Sequence, residues 1–136
     1  MIYTSYFAKH KKGADDKTAY LSIAVGNPKY EVPYEIIDIK ILKPYGIFGK
    51  YHGEEYKKKY FERLNSYGVD KIMHEIERLS KGKENVLLMC HEKNKMDCHR
   101  SMFAEWWLEQ TGEIIEEWGE EKPKEEFTQL KFFDII

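Results

Sequence analysis

Cysteine is scarce in this chain, with two residues among 136, Cys90 and Cys98. Two thiols cannot build the multiple-disulfide framework of a small secreted domain, and the expectation is that both are reduced. Long apolar runs are also missing, since no segment approaches the ~18 consecutive apolar residues of a membrane span. In the opening "MIYTSYFAKHKKG" the charges follow the apolar stretch, the reverse of a secretory signal. A cytoplasmic protein with no membrane partner is therefore expected. Neither sign of charge dominates. The 22 Lys and Arg stand against 24 Asp and Glu, a formal net charge of −2. That balance excludes a global attraction to nucleic acid or to an anionic membrane, and any such binding needs a local basic patch. There is no internal repeat.

What is present suits a folded domain. Hydrophobic residues make up 42% of the chain and aromatic residues 15%, too many for a disordered chain. The length is that of one compact domain with a real core. The reading is a single α/β domain over residues 1–136, with a charged linker near 119–126 and a C-terminal tail that docks on the rest.

Along the chain, "MIYTSYFA" and "TAYLSIAVG" read as extended segments, the second ending at the turn "GNP". Residues 35–42, "EIIDIKIL", read as a third, and "KPYGIFGKYHG" as a loop. From Glu54 the period becomes helical, with Tyr56, Tyr60, Leu64 and Tyr67 on one side. Gly68 stops that helix. Val69, Ile72, Met73, Ile76 and Leu79 mark the next. "NVLLMC" is a continuous apolar run, the pattern of a strand covered on both faces in a parallel sheet. A helix follows with Met102, Phe103, Trp106 and Trp107 on one side, closed by Gly112, and "EIIEEW" reads as one more strand. This order of elements predicts a layered α/β domain with a mostly parallel sheet. Ligands in such sheets bind outside the carboxyl ends of the strands.

The stretch "VLLMCHEKNKMDCHR", residues 86–100, begins at such an end and holds both cysteines, two histidines, a glutamate and an arginine. Asp97 is placed as an N-cap, which puts Cys98, His99 and Arg100 in the first helical turn. Helix amides there favour anions and lower a thiol pKa, and Arg100 adds a fork of donors suited to phosphate or carboxylate. Four readings stand side by side. In the first, Cys98 or Cys90 is a nucleophile, with His99 or Glu92 handling protons and Arg100 holding an anion. In the second, Cys90, His91, Cys98 and His99 bind zinc. Adjacent ligand pairs point in diverging directions, so no structural zinc and no other cofactor is expected. In the third, the cysteines form a regulatory disulfide. In the fourth, Cys90 is a core residue and Arg100 pairs with a carboxylate. The C-x5-R pattern of cysteine phosphatases is absent, because Met96 stands where the arginine is needed.

Strand-end positions add Tyr3, Ser5 and Tyr6, and Asn27 after the second extended segment, to the candidate ligand rim. His10, His52 and His74 read as surface residues. "KHKK" and "YKKKY" read as solvated faces, and a nucleic-acid accessory role would need them on one face.

The pattern Cys90-x-Glu92, a short loop, then Cys98-His99-Arg100 opening a helix resembles the family catalogued as domain of unknown function 488. "YTSYFAK" resembles the amino-terminal strand of one branch of that family, and "LKPYGIFGKYHGEEYKKKYFERLN" its central segment. The resemblance implies a Rossmann-like α/β fold and no defined activity. His91 stands at a position expected to vary in the family, which counts against a metal site needing it. The candidate catalytic groups are Cys98, His99 and Glu92, and the candidate ligand-binding groups are Arg100, Cys90, Ser5 and Asn27. The expected ligand is small and anionic, phosphate-bearing or nucleotide-like. An enzyme, a non-catalytic or redox-responsive binding module and a nucleic-acid accessory protein all remain open on the sequence.

Overall fold

The structure is a computed structural model that describes residues 1–11, 13, 15–91 and 99–119. Glu92, Asp97, Cys98, all of the expected linker after Gly119 and the C-terminal tail lie outside the described residues.

Five strands, β1 (Ile2–Tyr6), β2 (Thr18–Ser22), β3 (Ile36–Asp38), β4 (Asn85–Cys90) and β5 (Glu116–Glu117), form one sheet in the order β3-β2-β4-β1-β5. Every pairing is parallel. The apolar run of β4 takes the central place, and Val86 to Cys90 are all buried. The expected first strand is shorter than its composition suggested. After Tyr6 the chain turns into a 3-10 helix, Phe7–His10, with Phe7 buried. Residues 35–42 likewise give a strand of only three residues before a second 3-10 helix, Lys40–Leu42. There the apolar side chains are buried by a turn instead of a ladder, with Ile39 and Leu42 both fully enclosed.

Helix α1 (Gly53–Tyr67) buries Tyr56, Tyr60 and Leu64, and Tyr60 donates to the Leu42 carbonyl at 2.6 Å. Gly68, at φ 88°, turns the chain directly into α2 (Val69–Ser80), a conformation that costs a residue without a Cβ little. Helix α3 (His99–Thr111) buries Phe103, Trp106 and Trp107. The three helices pack on one another, α2 over β2 and α3 over β1 and β4. No helix among the described residues is long and apolar enough to cross a membrane.

Register places Ser5, Met89, Ser22 and Asp38 in one lateral row near the carboxyl ends of β1, β4, β2 and β3. Strand alternation puts that row on the face opposite Thr4 and Tyr6, of which Thr4 meets Glu117 and Tyr6 meets Arg100 of α3. The strand β4 enters between β1 and β2 after the chain has run out to β3. A parallel sheet whose connections change direction in this way leaves a crevice beyond the strand ends.

Candidate functional site

Helix α3 opens at the carboxyl end of β4, and its first two described residues, His99 and Arg100, are buried. Arg100 Nε donates to Glu117 Oε1 at 3.0 Å and its Nη2 to Oε2 at 2.9 Å. This is a two-pronged guanidinium–carboxylate pair, with Arg100 fully buried and the Glu117 side chain 8% exposed. Nη1 lies 3.0 Å from Cys90 Sγ, and the Tyr6 ring lies 5.6 Å from the guanidinium carbon. Thr4 Oγ1 also donates to Glu117 at 2.7 Å. Of the roles weighed for Arg100, pairing with a carboxylate is the one this geometry displays. Its partner lies on β5, a strand of two residues that the arginine anchors to the sheet.

Cys90 is fully buried and disulfide-bonded, not the reduced thiol expected of it. Bridging depends on separation in space, which a sequence does not reveal. Cys98 and Glu92, the other two groups of the proposed thiol chemistry, lie outside the described residues. Among the described residues no group of three His, Cys, Asp or Glu side chains is arranged to hold a metal ion.

The two histidines flanking this stretch both face the loop that leaves β2. His91 Nε2 meets the Gly26 carbonyl at 2.6 Å, and His99 Nε2 meets the Ile23 carbonyl at 2.6 Å. A carbonyl only accepts, so each Nε2 carries the hydrogen, and Nδ1 is the proton-accepting nitrogen of the neutral ring. The His99 ring also stands edge-on to Tyr60, with centroids 5.7 Å apart. The pair ties the loop after β2 to the end of β4 and the start of α3. Between them opens a cleft of about 410 Å³, lined chiefly by Ala24, Val25, Asn27, Tyr30, Phe48 and the two imidazoles, with Lys29 also on its wall.

Asn27 is held from behind by a polar network on β2 and β3. Ser22 Oγ donates to Asn27 Oδ1 at 2.6 Å, and Asn27 Nδ2 donates to Asp38 at 2.9 Å. Lys43, 3% exposed, donates to Asp38 at 2.6 Å and to Ser22 Oγ at 3.5 Å. An ammonium so deeply buried needs such partners. Burial pushes the Asp38 carboxyl up, but hydrogen bonds from Lys43 and Asn27 and the charges of Lys43 and Lys40 outweigh it and hold the group below its ordinary 3.8. A carboxyl depressed in the folded state stabilises the fold above its unfolded pKa. That contribution is lost as pH falls through the folded value, below about pH 4. A carbon-13 NMR titration of Asp38 is expected to show a midpoint under 3.8. A midpoint at or above it contradicts the network.

Ser5 is fully buried and shares a 2.7 Å hydrogen bond with His10 Nε2. His10, expected at the surface, is instead half-buried, with its ring near Tyr20 and Trp118. Burial and the neighbouring Lys9 lower its pKa against the opposing charge of Glu117. Tyr3 meets Trp118 edge-on at 4.8 Å. Thus His91, His99 and Asn27 converge on the cleft, while Ser5, Cys90 and Arg100 are buried and do not line it. Tyr30, Phe48, Asp38 and Lys43 were not legible as site residues. Only the turn "GNP" before Lys29 and Tyr30 hinted at a functional loop.

Residues 45–107 match the family described as Domain of unknown function DUF488. The matched segment runs from the turn before α1 through β4 into α3, and so contains the Cys90 to Arg100 stretch. The description carries no activity. No curated protein and no solved structure matches the chain.

Proposed function

We propose that this protein binds a small phosphate-bearing or nucleotide-like ligand in the cleft beyond the carboxyl ends of β2 and β4. The observation that carries the reading is the cleft itself, about 410 Å³ in volume, within the size range of small-molecule sites. Apolar walls, two oriented imidazoles, Asn27 and Lys29 supply the mixture such sites use. Binding is favoured over turnover because two groups of a thiol mechanism are engaged elsewhere, Arg100 with Glu117 and Cys90 in its disulfide. A small ligand is favoured over nucleic acid because the lysines of "YKKKY" are divided. Lys57 pairs with Glu105, and Lys59 lies over the Tyr51 ring.

Cytoplasmic residence belongs to the same proposal. In that compartment a disulfide is usually transient and regulatory, so the bridge at Cys90 favours redox-responsive binding as a second reading. Calorimetric titration with adenosine monophosphate, uridine monophosphate and inorganic phosphate, with and without reductant, tests both. At least one nucleotide is expected to bind, and His99→Ala to weaken it. Redox control requires that reduction change the affinity. Absence of binding by all three at millimolar concentration overturns the proposal.

A further inference from the structure

Among the described residues seven large apolar side chains are exposed, and three of them, Val25, Tyr30 and Phe48, line this one cleft. Tyr30 comes from the loop after β2, and Phe48 from the turn before α1. Scattered exposed apolar residues need no explanation, but their concentration on the wall of one cavity does. Tyr30 is 41% exposed and Phe48 56%. Lys11 Nζ stands 4.5 Å from the centre of the Tyr30 ring, so an ammonium covers one face of a ring that is part-exposed on the cleft wall. Lys29 shares the wall. Asp38, which holds the lining residue Asn27 from behind, is itself paired with Lys43.

From this arrangement we infer that the cleft recognises its ligand by a planar heteroaromatic ring stacked on Tyr30 and covered by Phe48, with the phosphate as the lesser contributor held near Lys29. The inference rests on the binding reading above and specifies the part of the ligand that supplies affinity. An aromatic ring accepts any base, because every base has a π-face, so stacking selects a nucleobase-like ring without choosing among bases. A phosphate on a flexible sugar would meet exposed lysines, which are strongly hydrated and screened by salt.

The experiment compares adenosine monophosphate, adenosine and ribose phosphate as ligands of the full chain, by calorimetry, for the unaltered protein and for Tyr30→Ala and Tyr30→Phe. Adenosine is expected within about threefold of the nucleotide, with ribose phosphate weaker by about tenfold or more. Tyr30→Ala is expected to weaken the nucleotide about tenfold, and Tyr30→Phe to restore it. Circular dichroism confirms that the variants are folded. If ribose phosphate binds as tightly as the nucleotide, or Tyr30→Ala binds unchanged, the stacking inference is overturned while the phosphate-binding reading stands. If none of the three ligands binds, both are overturned.

Discussion

Replacing Arg100 with alanine is expected to destabilise the fold by about 3–5 kcal/mol, the cost of breaking a buried ion pair by removing one partner. The substitution leaves the Glu117 carboxylate, 8% exposed, with Thr4 in place of a charge-neutralising partner. It also frees β5, whose two residues make a ladder too short to hold itself. A domain of this size has roughly 5–15 kcal/mol in total, so the loss is a large fraction of it. Lysine is a poor substitute because it lacks the fork that meets both carboxylate oxygens. Replacing the pair together by Met and Leu is expected to recover much of the loss, since apolar residues of similar volume often match a buried pair. Urea denaturation of the single and double variants measures this. If Arg100→Ala keeps full stability, the arginine is not a structural anchor, and a role in holding ligand regains priority.

An effect of similar size is expected at Trp106. Its side chain is 1% exposed and packs against Phe103 and Trp107, with ring centroids 6.1 and 6.3 Å away. Its indole donates to Asn65 Oδ1 at 2.9 Å, tying α3 to α1. Trp106→Ala removes the packing and leaves a cavity, for a loss of about 3–5 kcal/mol. Trp106→Phe keeps most of the apolar volume and loses the hydrogen bond, which costs only about 0.5–1.5 kcal/mol because Asn65 is exposed and water satisfies its oxygen. Chemical denaturation separates the two, because alanine is expected to be the worse by a clear margin. Equal losses would mean that the hydrogen bond to Asn65, not packing, fixes α3.

These two residues also show how far the sequence could be read. Trp106 belongs to a helical face whose period marks it as core, and β4 announces itself by an unbroken apolar run. Such elements are legible because burial imposes a pattern on neighbours in the chain. The partner of Arg100 was not legible. Glu117 sits in a strand of two glutamates, which carries no apolar alternation, and it reaches Arg100 only because the chain after α3 crosses over to pair with β1. His10 was misread for a related reason. Its lysine-rich surroundings suggest solvent, whereas the 3-10 helix after β1 folds it back onto Ser5. The cleft was legible only in part, since Asn27 and His99 line it and both were candidates on the sequence. Strand ends predicted where it lies, but Tyr30 and Phe48 stand in loops, where no periodicity singles out a residue.

The most direct test is an amide NMR titration of the full chain with adenosine monophosphate. Binding in the cleft predicts saturable shifts at Gly26, Asn27, Tyr30, Phe48, His91 and His99, the residues that surround it. Shifts confined to Thr18, Tyr34 and Lys81, which line a separate cavity by the start of β2, or no saturable shifts at all, would contradict the account.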